Sequence, residues 1–240
     1  MQTNSKSRRI PLVLFLLALL GSVLTLMAKE YWETKEFSQW NEQEAMAMLT
    51  NSPWSKTGST PGNYGGVATP QVLQPGSINN AGASLGKTQG LGGSDAASLY
   101  IRWYSSQKVR QAMCRMGQLR GNLSEKSASE FLQQPMPDYV ISISSPAMEP
   151  FDQASYEAIK LKTFLLSKKD KAKKIELKSY SPPKERTDGL AVFSFPRTIN
   201  DSPTVEISDD EIIFVTQVGP TKFQANFKLA RMMADGKLDL

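Results

Sequence analysis

Residues 55–95 hold ten of the chain's sixteen glycines, three of its prolines and only three charged side chains. Such a stretch has too little apolar area to offset the entropy of ordering its backbone, so it predicts a flexible Gly-rich linker. It divides the 240 residues into an N-terminal segment over 1–28, a tryptophan-rich piece over 29–54, the linker over 55–95 and a body over 96–240. The body is long enough for one hydrophobic core, which at that size buries about two-thirds of the unfolded surface.

The N-terminal segment sets the compartment. Lys6, Arg8 and Arg9 precede Ile10 to Ala28, a Leu-rich run without a charge. A basic region followed by an apolar one reads as a secretory signal peptide. Leu26 is large for the position two before a cleavage after Ala28, and an uncleaved helix of this length is just able to span a bilayer as a signal anchor. Both readings stand. Either one makes the protein exported, periplasmic or anchored in the cytoplasmic membrane with its body outside the cytoplasm. Ser7-Arg8-Arg9 resembles the start of a twin-arginine signal, but Pro11 interrupts the pattern, which favours general secretion. No Cys lies near the segment for acylation, and the lone Cys114 reads as a buried small hydrophobe.

The body reads as an α+β domain with a largely antiparallel sheet and two or three helices. Ser98 to Tyr104 alternates as a strand. Ser105 or Ser106 then caps a helix carrying Val109, Ala112, Met113 and Met116 at helical spacing, with Leu119 or Arg120 next in the series. Ser127 with Glu130 has capping-box spacing for a second helix ending before Pro135. Asp138 to Ser144 alternates again, which suggests a strand, helix, helix, strand unit closed by a right-handed crossover. Further on, Ala154, Ala158 and Leu161 are spaced for a short helix, and Thr163 to Ser167, Lys174 to Tyr180 and Leu190 to Phe195 read as strands. The clearest hairpin pairs Glu211 to Val218 with Thr221 to Leu229 across Gly219-Pro220. Asp235-Gly236 signals a final turn, with Lys237 to Leu240 pairing back.

Composition removes several chemistries. A chain with no His and one Cys has no Ser-His-Asp or Cys-His device, no His-ligated zinc and no multi-Cys metal site. No catalytic, cofactor or metal-ligating residue is assigned on this basis. Of the 28 cations three lie in the N-terminal segment, and the other 25 face 23 acids, too balanced to indicate a nucleic-acid partner. Gly86-Lys87-Thr88 has the ending of a phosphate loop but lacks the earlier glycine and the strand and helix around it. Ser105 to Lys108 has Ser-x-x-Lys spacing, repeated at Ser84 to Lys87 and Ser181 to Lys184, without the partner motifs of the serine enzymes that use it.

Two charged clusters remain. Ala96 to Ser124 carries five cations, Arg102, Lys108, Arg110, Arg115 and Arg120, and no acid. It reads either as a solvated basic helix face or as an anion site, in which Arg102, Ser105 and Lys108 meet a carboxylate or phosphate at the helix N-terminus. Glu206, Asp209, Asp210 and Glu211 lack the spacing of a calcium loop and read as a charged turn before a strand. A hydrolase acting on envelope polymer through two carboxylates stays open, because their separation is set by the fold.

The strongest local signal is the helix between Trp40 and Trp54. Asn41 and Glu44 form a capping box, Trp40 stands where a hydrophobic staple to Ala45 belongs, and Pro53 closes the segment. So short a helix is marginal alone and needs a docking surface, either its own body or a partner. As a tethered contact element it would present Trp40, Met48, Leu49 and Trp54 to an envelope protein. The motif Trp40-Asn41-x-x-Glu44-x-x-x-Met48-Leu49-x-x-Ser52-Pro53-Trp54-Ser55-Lys56 resembles that of a group of uncharacterised, predicted exported bacterial proteins, some of them labelled GWxTD-domain-like. Phe195-Pro196-Arg197 and Gly236-Lys237-Leu238-Asp239-Leu240 fit the same group. The resemblance implies export and the order signal, Trp-bounded helix, Gly-rich stretch and α+β body; it carries no catalytic residue. A non-enzymatic interaction module is the reading these residues favour, with the hydrolase and a small-anion-binding module as alternatives.

Overall fold

A computed structural model describes residues 30–59 and 98–240. The expected N-terminal hydrophobic helix and residues 60–95 of the expected linker lie outside them. The chain divides into two compact units, with the boundary between Thr34 and Lys35. In the first unit the described residues form the single helical turn α1 (Tyr31–Thr34), where Tyr31 and Trp32 meet edge-on with ring centroids 4.9 Å apart.

The second unit is α+β, and every strand pairing in it is antiparallel. In chain order its larger elements are α2 (Glu42–Thr50), β1 (Ser55–Ser59), β2 (Ser98–Trp103), α3 (Gln107–Leu119), α4 (Glu125–Gln133), β3 (Asp138–Ser144), α5 (Glu149–Gln153), α6 (Tyr156–Ile159), β4 (Phe164–Ser167), β5 (Lys174–Glu176), β6 (Ser179–Ser181) and β7 (Ala191–Pro196). The hairpin β8 (Thr198–Ile199) and β9 (Ser202–Pro203), the long strands β10 (Glu211–Val218) and β11 (Thr221–Lys228), and the pair β12 (Met233–Ala234) and β13 (Lys237–Leu238) complete it. One sheet has the order β1-β2-β3-β7-β6 and the other β11-β10-β4-β5.

Period-two alternation decides which side chains meet between the sheets. Leu99, Ile101 and Trp103 of β2 align with Tyr139, Ile141 and Ile143 of β3 and with Phe193 and Phe195 of β7. From the second sheet come Ile212, Phe214, Phe223 and Phe227. Trp103 meets Phe227 at 5.3 Å, and Phe193 meets Phe214 at 5.4 Å, both edge-on, so aromatic faces of the two sheets form the core. The sheets share one corner: after β5 the chain crosses over, and the Lys178 N–H donates to Ser194 O at 2.8 Å as β6 begins. The opposite face of the first sheet is covered by helices, with Met113 and Phe131 packed against Tyr104, Val140 and Val192.

Several sequence expectations need correction. The unit β2-α3-α4-β3 is not a right-handed crossover, because β3 lies antiparallel beside β2 and a crossover joins parallel strands. Ser124, not Ser127, caps α4, accepting from the Ser127 N–H. The helix expected through Leu161 is two short helices and a 3-10 turn, with Leu161 77% exposed. Residues 55–59, assigned to the linker by composition, are the edge strand β1, whose backbone is satisfied by pairing with β2.

Candidate functional site

The segment between the tryptophans is built as its sequence dictates. The Glu44 N–H donates to Asn41 Oδ1 at 2.8 Å and the Asn41 N–H to Glu44 Oε2 at 2.9 Å, closing the capping box. Lys35 Nζ donates to Glu44 Oε1 at 2.5 Å, and this bond with the Asn41 N–H holds the carboxylate below its ordinary range. Trp40, Ala45, Met48 and Trp54 are fully buried and Leu49 is 1% exposed. Their covering surface is the chain's own body, chiefly α3 and the adjoining sheet.

Arginines of the acid-free stretch fix this helix in place. Arg115 Nε donates to Trp40 O at 2.6 Å ahead of α2, and Arg102 Nε donates to Leu49 O at 2.5 Å near its C-terminal end. Met48 O and Thr50 O accept from Ser52 Oγ and Thr57 Oγ1, so the free carbonyls of the last turn are met by side chains. Arg110 does the same for α4, donating to Phe131 O and Gln134 O. The basic stretch is therefore not a solvated face: Arg102 and Arg110 are buried, and their charge meets the negative ends of helices.

The residues expected to gather an anion are separated. Arg102 lies on the helix-covered face of the first sheet, where NH1 donates to Ser144 Oγ at 2.7 Å. Burial pulls its guanidinium down to about 10. Ser105 Oγ accepts from the Val140 N–H at 3.0 Å. The N-terminus of α3 holds a carboxylate of the chain itself: Asp239 accepts from the Gln107 N–H at 2.7 Å, the Lys108 N–H at 3.0 Å and Ser106 Oγ at 2.7 Å. Trp54 Nε1 donates to Asp239 O at 2.7 Å and Arg197 NH2 to Leu240 O at 2.5 Å. The Gly-Lys-Leu-Asp-Leu segment is thereby tied to α3, to Arg197 just after β7 and to the Trp54 turn.

Asp209 and Glu211 are buried and each is paired, with Lys173 Nζ at 2.7 Å and Lys168 Nζ at 3.3 Å. Among the described residues no group of His, Cys, Asp and Glu is arranged to hold a metal. Cys114 is buried, and burial pushes its thiol up to about 11. The Gly86-Lys87-Thr88 and Ser84 to Lys87 motifs lie outside the described residues. No described helix is long and apolar enough to cross a membrane.

A surface feature that sequence reasoning missed lies on the outward face of the four-stranded sheet. Two cross-strand rows form it, Asn226–Ile213–Leu166–Lys174 and Gln224–Val215–Phe164–Glu176. Phe164, Leu166 and Ile213 are part-exposed at its centre, and Lys174 Nζ sits 4.6 Å from the centre of the Phe164 ring. Lys222 and Lys228 project from β11 on this side, and Lys169 and Lys171 flank it in the β4–β5 turn. None of these five lysines forms an ion pair with a carboxylate of the described residues, whereas Lys168 and Lys173 do. The signal was present as two apolar residues on the outward parity in each of β4 and β10, but only the pairing of those two strands joins them.

No family model matches the chain, and no curated protein or solved structure matches it.

Proposed function

We propose that the protein is an exported cell-envelope interaction module that seats an acidic partner protein on the outward face of its four-stranded sheet. The observation that carries this reading is the face itself: an apolar centre of Phe164, Leu166 and Ile213 within a rim where five lysines without acidic partners among the described residues outnumber the acids Glu176 and Asp170. A dry centre with a polar rim is the usual anatomy of a protein contact, and the sign of the rim selects the partner's charge. The basic and apolar N-terminal residues and the resemblance of the Trp40 to Lys56 motif to exported proteins support the location. The buried carboxylates Asp209 and Glu211 are held by lysines, which supports a binding role over acid–base chemistry. In this reading Trp40, Met48, Leu49 and Trp54 complete the fold that displays the face.

Charge reversal tests the proposal. The full-length K174E/K222E/K228E variant should keep the wild-type circular dichroism spectrum and lose at least about fivefold of the partner recovered after in-cell cross-linking, since unfavourable rim charges act on encounter and specificity. Undiminished recovery with the fold intact overturns it.

A further inference from the structure

β11 is the last strand of the four-stranded sheet, so one side of its main chain has no neighbour in that sheet. Register decides which residues face that side. Val218 and Thr221 close the β10–β11 hairpin across two residues and so form a hydrogen-bonded pair, and the pairs at Phe223, Ala225 and Phe227 repeat it. The Leu229 N–H, of the same parity, donates to Asp210 O at 2.9 Å. The alternate residues Lys222, Gln224, Asn226 and Lys228 therefore turn their N–H and C=O groups away from β10. No main-chain hydrogen bond among the described residues satisfies those groups. β1 is the nearest strand on this side, but it belongs to the other sheet and makes no ladder with β11.

The side chains of the same four residues are exposed on the outward face, and they set what can pair here. Lys222 and Lys228 stand at the two ends of the edge, and neither forms an ion pair among the described residues. Between them Gln224 Nε2 donates to Asn226 Oδ1 at 3.1 Å. A second copy pairing antiparallel about Ala225 would put each Lys222 opposite a Lys228, and like charges directly opposite are destabilising. Lysines on an open edge thus bar self-association. The same charges favour a strand that carries Asp or Glu at those two positions.

We propose that the acidic partner binds by adding an extended segment of its own to β11, with acidic residues six apart opposite Lys222 and Lys228. This rests on the reading that the outward face seats an acidic partner, and it names the contact that holds that partner. The added strand satisfies the outward N–H and C=O groups of Lys222, Gln224, Asn226 and Lys228. Its residues opposite Gln224 and Asn226 prolong the two cross-strand rows that carry Phe164, Val215, Leu166 and Ile213. Main-chain bonds supply affinity, and the two lysines supply selection.

Gln224→Pro separates the edge from the face. The Gln224 N–H takes no part in the β10 ladder, so the fold tolerates proline there, but an added strand loses a donor. The probe is an acetylated seven-residue peptide that alternates Val and Thr between two terminal glutamates, titrated into full-length protein in nonionic detergent with amide exchange read by NMR. Before addition, the N–H groups of residues 222, 224, 226 and 228 should exchange fast and those of 223, 225 and 227 slowly. Saturable binding should then protect the first set, and it should be at least tenfold weaker in Q224P and for a peptide with lysines in place of the glutamates. Absence of saturation, protection elsewhere, or equal affinity in a folded Q224P overturns the proposal; should Q224P unfold, the wild-type exchange pattern decides alone. Protection of the four N–H groups before addition, or a dimer that Q224P abolishes, assigns the edge to another segment of the chain or to a second copy and also overturns it. In the cell, a folded Q224P should lose at least about fivefold of the cross-linked partner. If the charge reversal K174E/K222E/K228E lowers recovery and Q224P does not, strand addition is refuted while the face reading stands; if neither lowers it, the face reading itself is refuted.

Discussion

Replacing Asp239 by Ala removes a carboxylate that lies more than a hundred residues away in sequence from the helix it caps. Three donors at the start of α3 lose their acceptor: the Gln107 N–H, the Lys108 N–H and Ser106 Oγ. Loss of a side-chain N-cap costs about 1 kcal/mol. Loss of the charge at the positive end of the helix dipole costs about 0.3 to 1 kcal/mol more. The sum, about 1.3 to 2 kcal/mol, corresponds to a drop in Tm of about 3 to 8 °C for a unit of this length. Asp239→Asn keeps an acceptor and drops the charge, so about a quarter to a half of that loss is expected. The bond from Trp54 Nε1 goes to the main-chain oxygen of residue 239 and survives in both variants. Thermal melts followed by circular dichroism, with urea titrations read by tryptophan fluorescence, give the two differences. A Tm for D239A within about 1 °C of wild type, with unchanged amide exchange at residues 107 and 108, would refute the role given to Asp239 beside the N-cap Ser106, whose Oγ takes the Val109 N–H.

Four further outcomes follow from the same geometry. Trp54→Ala and Trp40→Ala each empty a fully buried site and should cost about 3 to 5 kcal/mol in urea titrations, whereas a helix free of the body would lose almost nothing. Arg102→Ala leaves Leu49 O and Ser144 Oγ without their donor; a loss of about 2 to 3 kcal/mol is expected, with faster amide exchange in α2. Cys114, with its thiol raised to about 11 by burial, should resist iodoacetamide at pH 8 in the folded protein and react fully in urea. Glu44 is depressed by the Lys35 bond and then by the Asn41 N–H, so its contribution is present above the unfolded carboxylate pKa and lost as pH falls through the folded one. The stability gap between wild type and E44Q should therefore close on acidification, as a pH series of urea midpoints would show.

The legible parts of the sequence were those set by neighbours in the chain. The hairpin of β10 and β11 follows from period-two alternation around Gly219-Pro220, where Gly219 takes a positive φ of 57°. The capping box of Asn41 and Glu44 is a contact between residues three apart. What escaped was set by distant partners. Ser55–Ser59 has no strand-like composition and becomes β1 only because β2 offers a ladder. The arginines of residues 102–115 looked like a charged face because their acceptors, Trp40 O, Leu49 O and Phe131 O, belong to other elements. The positive end of α3 was legible as an anion site, but its occupant, Asp239, is a residue of the same chain. The outward apolar rows were hidden for the same reason, since Phe164 and Val215 become neighbours only through the β4–β10 register.

Site-specific photo-cross-linking in the producing cell tests the central claim most directly. A photoreactive residue is placed at Gln224, on the β11 edge strand beside the apolar centre of the outward face, or at the exposed Gln133 on α4 as the control. The account predicts a discrete adduct with an acidic protein from position 224, absent from position 133 and abolished by K174E/K222E/K228E. An adduct from position 133 alone, or one from position 224 that survives the charge reversal, would contradict it.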